Sequence, residues 1–238
     1  MKPTIVLVHG AFAESSSWDA VIDPLRDAGH PVIAAANPLR SVVGDAAAVA
    51  DVVRSVDGPA VLAAHSYGGM VMSNVPADAG EIAGLVYANA FAPDPSEHCF
   101  QLAGKFPGSM LGEETARAVP RSDGTTDLYV APDSFHDVFC QDVPESQAAL
   151  MATTQRPATQ EALTEGSGEQ SLWREVPSWF LIGEDDRIIP AQLQRYMAER
   201  GGARRTVEIP GASHAITVSR PDETAQLIIE AATVAAPA

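Results

Sequence analysis

The sequence predicts an α/β fold, a mostly parallel central sheet of about six strands with helices on both faces and an inserted helical lid. Three observations carry this expectation. Runs such as Thr4-Ile5-Val6-Leu7-Val8 and Trp179-Phe180-Leu181-Ile182 show no polar alternation, the pattern of a strand covered on both faces. Such runs alternate with segments of helical spacing, which implies βαβ units. Between residues 93 and 173 that alternation stops and prolines and glycines recur. At 238 residues, 46% hydrophobic and 19% charged, the chain suits one globular domain with a lid.

The first strand, Thr4 to Val8, ends at His9-Gly10. Ser15-Ser16-Ser17 offers N-caps for a helix through Trp18, Val21, Ile22 and Leu25, ending near Gly29. Pro31 to Ala36 reads as the second strand. Asp45 to Val56 has helical Ala/Val spacing and is closed by Asp57-Gly58-Pro59. Val61 to Ala64 is the third strand, followed by Ser66 and a helix-compatible stretch from Gly69 to Val75. Ile82 to Ala88 is the fourth. The interruption holds several short amphipathic pieces, among them Glu97–Phe106, Ser134–Phe139 and Glu145–Met151. Alternation then resumes with a strand at 179–182, a helix at 191–199, a strand at 206–209 and a helix at 223–232. The division expected is a core of 1–92 and 174–238, with 93–173 as the lid. An Ala-rich tail closes the chain at 231–238.

Composition removes several function classes. A formal net charge of −16 disfavours nucleic acid and anionic membranes as partners. No apolar run of roughly 18 residues is present to span a bilayer. The four-residue run Ile5–Val8 is too short for a secretory segment, so a cytoplasmic location is expected. Cys99 and Cys140 make neither a disulfide framework nor, with the histidines, a metal-ligand spacing. Lys2 and Lys105 are the only lysines, which leaves Schiff-base chemistry few candidates. The loop from His9 to Glu14 lacks the Gly-x-Gly-x-x-Gly of dinucleotide sites, and no phosphate loop occurs. No metal and no cofactor are expected.

The chemistry is expected at Val61-Leu62-Ala63-Ala64-His65-Ser66-Tyr67-Gly68-Gly69-Met70. A strand that turns into a helix within a residue or two holds the intervening serine in a strained backbone. Small residues two before and two after it, Ala64 and Gly68, leave room for the crossing chain. The helix N-terminus then offers free N–H groups to an oxyanion. Gly211-Ala212-Ser213-His214-Ala215 has the same small-x-Ser-x-small spacing but runs into β-branched Ile216-Thr217-Val218, so Ser66 is preferred.

A serine hydroxyl needs a base, and the base needs an orienting carboxylate. In open sheets these groups gather at the carboxyl ends of strands. Gly183-Glu184-Asp185-Asp186 follows one late strand and Gly211-Ala212-Ser213-His214 the next, giving the chain order Ser, Asp, His. Asp186, in a Gly-x-x-Asp turn, is preferred to Asp185, which stays open as the alternative. Among six histidines only His214 has both the strand-end position and the order. His65 adjoins Ser66 but points to the opposite face, and His9 is expected to brace the loop after the first strand. That loop and the N–H of Tyr67 are the expected oxyanion donors.

The segments Val6-Leu7-Val8-His9-Gly10-Ala11-Phe12, Ala64-His65-Ser66-Tyr67-Gly68-Gly69, Gly183-x-x-Asp186-x-x-x-Pro190 and Gly211-x-Ser213-His214 resemble α/β-hydrolases. More narrowly, they look like the small branch of plant methylesterases, hydroxynitrile lyases and bacterial esterases. The resemblance spans nearly the whole chain, including Pro93 to Cys99. It implies Ser66 as nucleophile, His214 as base, Asp186 as orienting acid and an oxyanion hole from the N–H groups of Ala11 and Tyr67. Two departures stand out. Ala64 replaces the family's usual glycine. Ala215 and Gly10 stand where hydroxynitrile lyases look for lysine and threonine, so ester hydrolysis is expected over cyanide release.

The expected activity is hydrolysis of carboxylic esters of small, largely apolar molecules through an acyl-enzyme on Ser66. The pocket is expected to draw on Phe12, Phe100, Phe106, Met110, Phe135, Phe139 and Met151. The same triad would also serve lactone, thioester or amide cleavage or cofactor-free perhydrolysis. From a different class, the fold could carry a non-catalytic small-molecule receptor or carrier. The partner expected is a small-molecule ester, and the sequence leaves the oligomeric state open, a homodimer included.

Overall fold

The computed structural model describes residues 2–234. In chain order the core opens with β1 (Thr4–Val8), α1 (Asp19–Asp27), β2 (Val32–Ala35), α2 (Val42–Arg54), β3 (Ala60–Ser66), α3 (Tyr67–Ser73) and β4 (Ile82–Ala90). An inserted stretch holds α4 (Cys99–Ala103), β5 (Ala116–Pro120), β6 (Thr126–Val130), α5 (Pro132–Phe139), α6 (Glu145–Thr154), β7 (Ala158–Thr159) and α7 (Gln160–Thr164). The core closes with β8 (Ser178–Gly183), α8 (Ala191–Arg200), β9 (Arg205–Ile209), α9 (Ile216–Ser219) and α10 (Pro221–Val234). The Ala-rich tail beyond residue 234 lies outside the described residues.

Six strands form one sheet in the order β2-β1-β3-β4-β8-β9, every pairing parallel. The apolar runs have the two-sided cover that their lack of polar alternation demanded. Alternate residues of each strand enter two separate cores. Ile5, Leu7, Val61, Ala63, Val86, Ala88, Trp179 and Leu181 pack with Trp18 and Leu25 at α1 and with Ile228 of α10. Val6, Val8, Leu62, Ala64, Leu85, Tyr87, Phe180 and Ile182 pack with α2, α3, α8 and the insertion. Each fully buried large side chain contributes roughly 1.5–3 kcal/mol by leaving water.

Several elements differ from expectation: Ser15–Trp18 form a 3-10 turn that leads into α1 without a serine side-chain cap, α3 starts at Tyr67, and two further differences have local reasons. The α2 helix begins three residues before Asp45, because Ser41 caps it by accepting the Gly44 N–H at 3.1 Å. The insertion, expected to be helical, also carries a three-stranded antiparallel sheet, β5-β6-β7. Its hairpin turns at Arg121-Ser122-Asp123-Gly124-Thr125, where Gly124 takes φ +88° and Asp123 accepts the Thr125 N–H at 3.0 Å. Arg40 ties this sheet to the core, donating to Asp127 of β6 and to the Pro157 carbonyl, both at 2.7 Å.

Candidate active site

The strand-to-helix turn after β3 forces Ser66 to φ 54°, ψ −126°, a backbone region that non-glycine residues rarely occupy. The crossing is tight. A Cβ on Gly68 would lie 2.4 Å from the Val8 carbonyl oxygen, and one on Gly10 would lie 2.5 Å from the Ser66 Cβ. Ala64, by contrast, is fully buried without strain on its backbone, so this elbow accommodates a methyl group at that position.

Ser66, His214 and Asp186 come from the ends of β3, β9 and β8 and meet in a line. The Ser66 Oγ lies 2.9 Å from His214 Nε2. The Asp186 carboxylate lies 2.9 and 3.0 Å from His214 Nδ1. With Nδ1–H donating to the carboxylate, Nε2 is left bare to accept the serine proton. Asp186 also accepts the N–H groups of Ile188 at 2.8 Å and Ile189 at 2.9 Å, and the Gln194 amide at 3.0 Å. All its neighbours in hydrogen-bond reach are donors, which matches an acceptor-only carboxylate. Asp185 is exposed and does not face the imidazole; its backbone N–H donates to the Ala212 carbonyl at 3.1 Å.

Asn89, near the end of β4, ties the end of β8 to the segment that follows β9. It is buried at φ 44° and donates through Nδ2 to the carbonyls of Ser213 at 2.7 Å and His214 at 3.2 Å. Its Oδ1 accepts the Gly183 N–H at 2.6 Å. His65 adds a further tether, donating from Nε2 to the His214 carbonyl at 2.8 Å. Burial holds His65 well below the usual imidazole range, with the neighbouring His214 and His9 acting the same way. Neither tether was legible beforehand, because both act on backbone carbonyls 125 and 149 residues away.

The loop after β1 is braced by His9, as its sequence position suggested. Its Nδ1 donates to the Gly10 carbonyl at 2.9 Å and its Nε2 accepts the Asn37 N–H at 3.1 Å. Burial drives its pKa down to about 4, against the pull of the Gly10 carbonyl and helped by the Arg156 charge, so the ring is neutral. The Phe12 N–H is taken by the Arg156 carbonyl at 3.0 Å, whereas the N–H groups of Ala11 and Tyr67 have no acceptor among the described residues. Both residues line the small cavity at Ser66, where free donors can face an oxyanion.

That cavity, about 30 Å³, is bounded by Phe12, Phe91, Phe100, Leu111, Leu163 and Ile188 around Ser66. Of the aromatic residues named for the pocket, Phe12 and Phe100 line this cavity. Phe106 instead lines a larger neighbouring groove. Phe135 and Phe139 are buried on one face of α5 and stack at 4.9 Å; Phe139 meets the His214 ring edge-on at 4.9 Å and so backs the imidazole instead of lining the cavity. Met110 is 40% exposed in a loop held by its N–H to the Arg187 carbonyl, and Met151 lines a surface depression with Gln147 and Leu150. Phe106, Phe135, Phe139 and Met151 lie in the short amphipathic pieces read from the sequence, but that pattern does not say which cavity each face meets. Leu163 and Ile188 were missed because single aliphatic residues in short segments carry no signal of their own.

Among the described residues no cluster of His, Cys, Asp or Glu could hold a metal ion, and no helix is long and apolar enough to cross a membrane. Cys99 and Cys140 are both free and buried, and burial pushes the Cys140 thiol up to about 12, so neither is a ready nucleophile.

Comparison with known proteins agrees with this architecture. The profile of the alpha/beta hydrolase family matches residues 5–227. An esterase of Oryza sativa subsp. japonica, PIR7B, is 26% identical over 97% of this chain and 96% of its own length. A pyrethroid hydrolase of Sphingobium wenxiniae is 28% identical over 95% of this chain and 86% of its own length. Among solved structures, polyneuridine aldehyde esterase superposes with a TM-score of 0.79 at 21% identity, covering 97% of this chain and 99% of that one.

Proposed function

The chain belongs to the α/β hydrolase family, and from that premise we propose that it is a serine hydrolase acting on carboxylic esters of small, largely apolar molecules. The observation that carries this reading is the unbroken line from Ser66 Oγ through the His214 imidazole to the Asp186 carboxylate, each step at 2.9–3.0 Å.

In the proposed reaction Ser66 Oγ attacks the ester carbonyl carbon while its proton passes to His214 Nε2. Asp186 keeps the resulting imidazolium oriented and paired. The oxyanion of the tetrahedral species sits against the N–H groups of Ala11 and Tyr67. His214 then gives its proton to the departing alkoxide, and an acyl group remains on Ser66. Water, deprotonated by His214, attacks that acyl group; the acid leaves and the Ser66 hydroxyl is restored. One ester and one water become one acid and one alcohol.

Hydrolysis is favoured over lyase chemistry by the surroundings of the imidazole. The residue after His214 is buried Ala215. Lys105 lies over the Tyr196 ring at 4.8 Å and Lys2 pairs with the Ala28 carbonyl, so no lysine ammonium is positioned to stabilise a departing anion at this site. Steady-state hydrolysis of short-chain aryl esters tests the reading. Ser66→Ala and His214→Ala should each lower kcat by on the order of 10⁴-fold or more, because the members act as a unit. Ester hydrolysis that persists in Ser66→Ala would overturn it.

A further inference from the structure

The Ser66 cavity does not end at the nucleophile. Phe100, Ala103, Ser109 and Leu111 line it on one side and, on the other, line a groove of about 750 Å³. The groove runs between α4, the loop 104–113 and the β5–β6 hairpin. Small residues make it wide: Gly104, Pro107, Gly108, Gly112, Ala116 and Ala118 place little more than backbone along its walls. Phe106 and Leu128 supply apolar surface, and Glu113 and Gln160 are its polar edge.

The two volumes differ by more than twenty-fold, and that difference decides what each can hold. A site of about 30 Å³ admits roughly two water-sized groups. A groove of about 750 Å³ falls within the roughly 300–1,000 Å³ of ordinary small-molecule sites. Phe100 stands at the junction, 37% exposed on the five-residue helix α4. Beside it the Ser109 hydroxyl is buried without a hydrogen-bond partner, a free polar atom at the neck.

We propose that the groove behind Phe100 is a specificity subsite: the substrate is an asymmetric ester with a one- or two-atom group on one side of its carbonyl, held at Ser66, and a ring-sized apolar group on the other, held in the groove. Phe100 sets the size limit of the small side, and the Ala116–Ala118 wall sets the depth of the large side. This deepens the esterase reading and rests on it.

The test uses four esters: 2-naphthyl acetate and methyl 2-naphthoate, each with one small and one large side, with ethyl acetate and 2-naphthyl benzoate as small–small and large–large comparisons. Two variants at exposed or half-exposed positions alter the groove. Ala118→Trp, which fills it, should lower kcat/KM for the better of the two asymmetric esters about ten-fold relative to ethyl acetate, compared with the same ratio in the wild type. Phe100→Ala, which opens the neck, should raise 2-naphthyl benzoate relative to 2-naphthyl acetate by about ten-fold. Taking each ratio against the wild type cancels the intrinsic reactivity of the esters. Either ratio remaining within two-fold of the wild type overturns the subsite. Failure of the wild type to cleave any of the four would instead count against the esterase reading itself.

Discussion

The hydroxyl of Tyr67, the residue that follows Ser66, donates to the buried carboxylate of Asp45 at 2.8 Å. Both Asp45 oxygens also accept the Arg40 N–H at 3.1 Å. Since the Arg40 guanidinium grips Asp127 of the inserted sheet and the carbonyl of Pro157, which precedes β7, one run of polar contacts links that sheet to the residue after the nucleophile. The helix that carries Asp45 thereby holds the side chain of the residue after the nucleophile.

Tyr67→Phe removes one donor from a charged, buried acceptor, a change that costs about 2 kcal/mol. For a chain of this length the melting temperature should fall by about 4–8 °C. Burial already raises the Asp45 carboxyl, against the pull of Arg40 and Tyr67. Its stabilising contribution is thus full below the ordinary carboxylate range and lost as pH rises through the raised value. Removing the tyrosine hydroxyl raises that value further and moves the loss to higher pH. Thermal melts of the variant from pH 4 to 8 read both effects.

Asn89 predicts a different signature, because it touches only backbone. Asn89→Ala frees the Ser213–His214 segment and should lower kcat about ten- to a hundred-fold with little change in KM. Asn89→Asp keeps the acceptor for the Gly183 N–H but turns a carboxylate oxygen toward the carbonyls of Ser213 and His214. It should be the poorer enzyme of the two, and equal kcat values would show that these bonds do not position the imidazole.

His9 gives the fold an acid limit. Its pKa falls from 6.5 to about 4 on burial. The stability tied to its neutral form is therefore full above pH 6.5 and lost as pH falls toward 4, on the order of 3 kcal/mol over the window. His65, lowered in the same direction, adds to the loss. His9→Gln should be less stable at pH 7 yet lose less on acidification to pH 4.5. Denaturant melts at the two pH values measure the difference, and parallel losses in variant and wild type would remove His9 from the account.

Gly10 tests the closeness of the oxyanion loop to the nucleophile. A methyl group there meets the Ser66 Cβ at 2.5 Å and the His65 carbonyl at 2.9 Å, neither of which is a flexible side-chain tip. Gly10→Ala should cost about a hundred-fold or more in kcat by displacing the serine. Near-normal turnover would mean that the loop yields at no cost.

The sheet was legible because parallel strands buried on both faces cannot hide their composition; β1, β3 and β8 carry the apolar runs Ile5–Val8, Ala60–Ala64 and Trp179–Ile182. The elbow was legible because only small residues fit where α3 crosses β1, and Gly68 records that contact in the sequence. The insertion was read less well. Its hairpin strands carry Arg117, Pro120 and Asp127, and Asp127 faces inward only because Arg40 and Arg121 pair with it from either side. A buried carboxylate that depends on distant cations leaves no periodic trace. For the same reason the aromatic residues of α5 were identified as apolar but assigned to a pocket, when Phe139 packs behind His65 and His214 and Phe135 stacks on Phe139.

The central claim is that Ser66 is the group acylated in turnover, and intact-protein mass spectrometry after treatment with a fluorophosphonate probe measures this most directly. One adduct per chain, mapped to the peptide containing Ser66, absent in Ser66→Ala and strongly slowed in His214→Ala, is the expected result. An unlabelled wild type, or an adduct that survives in Ser66→Ala, would contradict it.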